Sequence, residues 1–450
     1  MTNTKEHYGV LTATTMIIGI VIGSGIFFKA DDVLKYTGGS VWLGILVFCI
    51  GAFSIIFGSL TLTELSIRTK KNGGVVGYYE DFISSKIASA FGWFQTFIYL
   101  PTINAVVSWV AGIYTFSLLG LDATLEAQIL LGFLFMTIIY GINIFSLRLG
   151  GAFQNLSTFI KLIPLLGIAI IGFFWGGQNA EIPKGIEVIS KGNVGFGWIA
   201  ALAPIAFSFD GWIVATSITN EVKDPKKNMP LALIIGPLVI LGVYLLYFIG
   251  INNILGAEFI LSTGDNAINY VGKILLGNYG NTIIMVFVII AILGVVNGLT
   301  LGNIRMPQAL ASKNMIPGSK WIANINPRFQ LSLASCLISF IVSCFWMFIH
   351  YITQKSGILG GSDISEISIV FSYVCYTLLY VKVILMKKNR IIKSNFKGTI
   401  CPIFGLLGSA IILFGGIASN PLYVPIFILF CFIICFIGFY YYQSINKRPI

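Results

Sequence analysis

Ile20-Val21-Ile22-Gly23-Ser24-Gly25-Ile26-Phe27-Phe28 puts Gly-Ser-Gly in the middle of the first long apolar run, which extends from Val10 to about Ala30. Each glycine weakens a helix by about 1 kcal/mol relative to alanine. Backbone that unwinds at membrane depth persists only where protein or a water-filled cavity satisfies it. If the helix opens here, the amides of Gly23, Ser24 and Gly25 begin a second half-helix, and its partial positive charge suits a carboxylate. The carbonyls that close the first half, around Val21, suit an ammonium. One break can hold both ends of a zwitterion. The same residues also read as a small-residue packing face between helices.

The rest of the chain supplies the context. Of its 450 residues, 56% are apolar and 10% are charged. That leaves too little polar surface for water, so lipid is the solvent, and soluble enzymes, secreted disulfide scaffolds and disordered proteins are excluded. Apolar runs recur at 10–34, 41–66, 88–119, 127–147, 152–175, 198–219, 229–253, 281–311, 331–350, 364–386, 402–418 and 422–443. They predict an all-α integral membrane protein of about twelve spans. The runs do not alternate, which excludes an outer-membrane barrel. The first run lacks a small-residue cleavage site and reads as a retained, broken span. Gly176–Gly197, the longest polar interval, is expected to be an ordered external loop.

Charge sets the orientation. With the N-terminus inside, 21 of the 28 lysines and arginines fall in inner segments and six in outer ones, while Lys161 lies within a span. That asymmetry predicts cytoplasmic N- and C-termini and accounts for the net charge of +11 without a nucleic acid partner. Seven cysteines with no CxxC pair, and only two histidines, offer no metal site, and no cofactor is expected.

The sixth span tips the balance on the first. Phe207-Ser208-Phe209-Asp210-Gly211-Trp212 buries an ionisable residue and a glycine within apolar sequence. A carboxylate there is a functional candidate by default. Interrupted helices at corresponding positions of two halves point to a transporter site between inverted repeats. Asp210 has two readings: its carboxylate attracts a cationic substrate side chain, or it caps the second half of span six. Lys161 sits too deep to snorkel, so its expected partners are carbonyls freed by a broken neighbour, in a transport role or as a structural clamp. Asn297, Thr300 and Asn303 share one face of span eight and either line the pathway or bond across helices. Glu64, Glu80 and Asp81 read as inner loop or gate charges.

These features together resemble the amino acid–polyamine–organocation superfamily, and more narrowly its L-amino acid transporter family, with a likeness to bacterial alanine–serine–cysteine exchangers. The resemblance spans essentially the whole chain. It rests on Gly23-Ser24-Gly25-Ile26-Phe27, Phe207 to Trp212, Glu221-Val222-Lys223-Asp224-Pro225 with Asn228-Met229-Pro230, and Gly294-Val295-Val296-Asn297-Gly298 followed by Arg305 and Met315-Ile316-Pro317. It implies a five-plus-five inverted repeat with broken helices one and six. The first repeat would take residues 1–175, the external loop 176–197, the second repeat 198–386, and spans eleven and twelve with the tail 387–450. It further implies that Gly23, Ser24 and Gly25 hold the substrate carboxylate, and that carbonyls of Val21, Phe207 and Asp210 hold its ammonium. Phe207 would be the outer gate. Ser208 and Tyr244 would lie at the substrate, and Lys161 would stand where sodium-coupled relatives hold sodium. The link Ser117–Thr124 has no cysteine, so the disulfide-linked heavy subunit of animal members is not expected.

The expected activity is sodium-independent exchange of L-amino acids, small neutral ones first, by alternating access in the cell membrane. A proton-coupled amino acid carrier, or a polyamine or basic amino acid carrier of the same fold, is the near alternative. An ion channel is the remote one, since no repeated filter loop is present. No HExxH, GxSxG or Walker A motif suggests an enzyme or an ATP-driven pump.

Overall fold

The computed structural model describes residues 9–23, 25–69, 71, 74–175, 180–213, 222–360 and 362–446. Among them no strand forms, and strand-like pairing is limited to isolated bridge residues such as Asn326 with Leu331. Nine helices among the described residues are long and apolar enough to cross a membrane, and three shorter apolar helices, Val10–Gly19, Leu162–Phe174 and Gly195–Ser208, fall on runs one, five and six.

Span one is two helices, α1 (Val10–Val21) and α2 (Gly25–Tyr36), parted where Ile22 turns extended at ψ 104°. Next comes α3 (Val41–Ser66), started by Ser40, whose hydroxyl accepts from the Leu43 amide. A short inner helix, α4 (Val75–Phe82), leads to α5 (Ser85–Phe94), a π-helical turn (Gln95–Tyr99) and α6 (Leu100–Leu119). The π turn has a chemical origin. Pro101 has no N–H for the carbonyl of Phe97, and the Trp346 indole N–H bonds that carbonyl instead.

Helices α7 (Leu125–Phe145) and α8 (Leu147–Ile160) follow with almost no link, because Ser146 caps α8 through the Leu149 amide. Span five therefore begins earlier than its apolar run, and it is not continuous. It stops at Lys161 and resumes as α9 (Leu162–Trp175). Pro164 cannot donate to the Ile160 carbonyl, which explains the interruption.

Span six opens with a 3₁₀ stretch (Gly195–Ala201) and α10 (Leu202–Ser208). After Val214–Glu221, which lie outside the described residues, come α11 (Pro225–Leu255), α12 (Ala257–Thr263) and α13 (Ala267–Leu276). The chain then forms α14 (Gly280–Ala311), α15 (Ser319–Ile322), α16 (Leu333–Ser356), α17 (Ile364–Lys388), α18 (Cys401–Ser419) and α19 (Tyr423–Asn446).

Residues 180–194 form no helix, yet they are tied down: the Gly192 amide bonds the Gly38 carbonyl at 3.0 Å, and the Ala180 amide bonds that of Leu255 at 3.1 Å. A Cβ on Gly38, which sits at φ +60°, would lie 2.1 Å from the Gly192 carbonyl oxygen, so only glycine fits.

The polar face of α14 bonds across helices. Asn297 accepts from Asn143 at 2.7 Å and donates to the Gly150 carbonyl. Thr300 accepts from Asn104. Asn303 donates to Tyr140 and Ser343. Such bonds are each worth about 0.6 kcal/mol, and here they fix α14 against α6, α7, α8 and α16.

Candidate functional site

The two breaks meet. A Cβ on Gly25 would lie 2.7 Å from the Cα of Ser208 and 3.1 Å from the Phe207 ring, so a side chain there would push the half-helices apart. On its other side, the span-one break packs against α14, where a Cβ on Gly23 would lie 3.0 Å from Val295.

A helix end leaves its last carbonyls without amide partners. At the end of α1 they are met in three ways. Ile18 keeps a helical bond from the Ile22 amide. The carbonyl of Gly19 accepts from the Lys161 ammonium, and that of Val21 lies 3.2 Å from the Tyr244 hydroxyl. The same hydroxyl lies 2.8 Å from the Ser208 carbonyl at the end of α10. Tyr244, fully buried on α11, therefore bridges the two broken helices through their main chains. Lys161 reaches α1 from the interruption between α8 and α9, so the structure pairs it with the freed carbonyl expected of it.

Other candidates fall as follows. Ser24 lies outside the described residues. The Ser208 side chain turns back to the Pro204 carbonyl of its own helix, so Ser208 faces Tyr244 with its main chain only. The Phe207 carbonyl accepts from the Asp210 amide at 3.0 Å. The Phe207 ring is buried, with the Lys29 ammonium 5.5 Å from its centre. Gly211 turns the chain at φ +94°. The Asp210 carboxylate accepts from the Tyr99 hydroxyl at 2.6 Å. That partner comes from the π turn, and residues 214–221, which Asp210 would cap, lie outside the described residues.

Two features escape a linear reading. Tyr99 is one of them. The other is a buried ionic clasp. Lys29, 3% exposed on α2, lies 2.8 Å from Asp363 and 2.6 Å from Glu366 at the start of α17, and 3.4 Å from Asp32. In the orientation expected from the excess of Lys and Arg on the other face, this is the outer side. Above the clasp opens a vestibule of about 390 Å³, bounded by Asp32, Lys35, Trp109 and Asp265. Burial and the negative charges of Asp31 and Asp32 push the Asp265 carboxyl well above the usual carboxylate range.

On the inner side, Glu80 of α4 pairs with Lys313 at 2.6 Å, just beyond α14, and with Lys71 at 3.0 Å. Burial pushes the Glu80 carboxyl up, but the bonds and charges of the two lysines outweigh it and hold it below its ordinary value. Glu64 pairs with Arg68 and Lys397. Asp81 accepts from Thr69. These carboxylates all make inner ionic or polar ties.

Chemically, two helix ends, a lysine and a tyrosine converge, setting an ammonium and a hydroxyl against the main-chain carbonyls of Gly19, Val21 and Ser208. A sequence model of the amino acid permease family matches residues 8–449. The chain belongs to that family. This permease is similar to the serine/threonine exchanger SteT of Bacillus subtilis (strain 168), with 30% identity over 386 residues, 86% of this chain and 84% of that one. It is similar to Asc-type amino acid transporter 1 of Mus musculus, 26% identical over 93% of this chain and 78% of the relative. It is also similar to the human large neutral amino acids transporter small subunit 2, 25% identical over 77% of this chain and 66% of the relative. The permease is a multi-pass membrane protein that transports amino acids, not an enzyme.

Proposed function

We propose that this permease is a sodium-independent exchanger of small neutral L-amino acids working by alternating access. The observation that carries the reading is the Lys161 ammonium on the Gly19 carbonyl. A lysine side chain already sits at the end of α1, the place where a coupling cation would otherwise meet a carbonyl cluster. In this reading the amides of Gly23, Ser24 and Gly25 take the substrate carboxylate. Carbonyls of Val21, Phe207 and Asp210 take its ammonium, with Tyr244 between the two ends. Phe207 closes the site from outside beneath Lys29. The name of the bacterial relative, a serine/threonine exchanger, supports small neutral substrates and exchange.

The two broken spans correspond under a five-plus-five repeat of 1–175 and 198–386, and the motion opens the outer clasp while the inner one stays closed, then reverses. The chain works without a disulfide-linked partner, because Ser117–Thr124 offers no cysteine. Counterflow in proteoliposomes tests this: alanine, serine or threonine inside, a labelled panel outside, with and without sodium. Uptake should require internal amino acid and be indifferent to sodium. A strict sodium requirement would sink the role given to Lys161.

Asp210 favours one second reading. Its half-buried carboxylate, to which Tyr99 donates, is the titratable group that a proton-coupled carrier needs. Collapse of the proton gradient separates the two: exchange continues, and proton-driven accumulation stops.

A further inference from the structure

A crevice of about 520 Å³ runs between α5, α17 and α19, away from both breaks. Phe91, Phe371, Leu378, Phe432 and Phe436 make its walls. Leu378, Phe432 and Phe436 are 50%, 49% and 60% exposed, so the crevice opens toward the hydrocarbon. One end is shut by Phe371 and Phe432, packed edge to face at 4.9 Å. The other lies at Phe439, about 10 Å further along α19 at 1.5 Å per residue. There the Lys86 ammonium stands 5.8 Å from the ring centre of Phe439. Among the described residues no carboxylate pairs with Lys86. Lys86 begins α5 on the side that carries the excess of Lys and Arg, which is the inner leaflet.

We propose that this crevice binds one acyl chain of an anionic phospholipid of the inner leaflet, with its phosphate on Lys86. The slot is too apolar for an amino acid. A lone cation at its mouth selects a negative headgroup over a zwitterionic one. The lipid would wedge between two helices that matter elsewhere. α5 runs into the turn that presents Tyr99 to Asp210. α17 begins with the clasp carboxylates and is pinned at Cys375 by the Tyr79 hydroxyl at 2.6 Å. Its occupancy therefore sets the spacing of helices that hold the span-six break and the outer clasp.

The test uses the full chain in phosphatidylcholine vesicles with and without phosphatidylglycerol. Cys435 lines the crevice and reports through a membrane-permeant maleimide, read by peptide mass spectrometry. Phosphatidylglycerol carrying a photoreactive acyl chain should crosslink to α5 and α19 peptides and slow Cys435 labelling. Phosphatidylcholine should do neither. Lys86→Gln should weaken the phosphatidylglycerol effect about fivefold, the worth of one cation at an anionic surface. Ala90→Trp, filling the slot, should abolish the crosslink with the melting temperature unchanged. Equal crosslinking by both lipids, an unchanged Lys86→Gln variant, or Cys435 labelling indifferent to lipid would each overturn the proposal.

Discussion

The outer and inner ionic clasps use the same residue types and differ in solvent. Lys29 is 3% exposed and its partners Asp363 and Glu366 are 4% and 2% exposed. On the inner side Glu80 is 12% exposed, and its lysines 313 and 71 are 23% and 49% exposed. A desolvated pair contributes little net stability when intact, yet losing one partner costs about 3–5 kcal/mol. A hydrated pair is worth about 0–1 kcal/mol either way. The two faces thus differ in what it takes to part them: the outer requires separating dry charges, and the inner requires only that wet ones trade partners with water.

The comparison breaks first at Lys29. Lys29→Met leaves two buried carboxylates with no cation, and we expect a loss of about 3–5 kcal/mol, read as a lower melting temperature and lost uptake. Survival of both at the level of the unaltered protein would mean the outer clasp is as wet as the inner. Between the clasps, Tyr244→Phe removes the hydroxyl from two main-chain carbonyls. Each buried carbonyl left alone costs about 1–3 kcal/mol, so uptake should fall at least tenfold while the protein still folds. Asp210→Asn keeps an acceptor for Tyr99 but weakens the bond by about 1 kcal/mol. Neutral amino acid exchange should largely persist, and loss of neutral uptake in a folded variant would give Asp210 a direct role.

The smallest effect belongs to Glu80→Gln, within about 1 kcal/mol in melting, with exchange retained. The acid side of the same pair sharpens the contrast. Because the Glu80 carboxyl is held down, its contribution is present at neutral pH and lost as inner pH falls through the lowered value. Salt near 1 M, which shortens screening to about 3 Å, should mimic Glu80→Gln and leave the Lys29 phenotype unchanged.

The breaks themselves were legible in the chain. Glycine at Gly23, Gly25 and Gly211, and polar groups at Asp210 and Lys161 inside apolar runs, are local signals, and each marks an interruption or a partner of one. Nothing in the chain near Lys29 announces the clasp, because its partners lie 334 and 337 positions away and hydropathy carries no information over that separation. Tyr99 was hidden for the same reason, although Pro101 two residues on signals a disturbed helix. The stop at Lys161 was missed because its cause, Pro164, sits inside an otherwise strong apolar run. Asn297, Thr300 and Asn303 show the converse: periodicity placed them on one face, and only the neighbouring helices decided that the face is cohesive.

The connector between spans five and six is more than a bridge of convenient length. Stitched to Gly38 at the tip of α2 and to Leu255 at the tip of α11, it acts as a drawstring between these two helices. Any tilt of α2 large enough to free Lys29 must slacken or snap the stitch at Gly192, so the strain reaches α11 through Ala180 at the same moment.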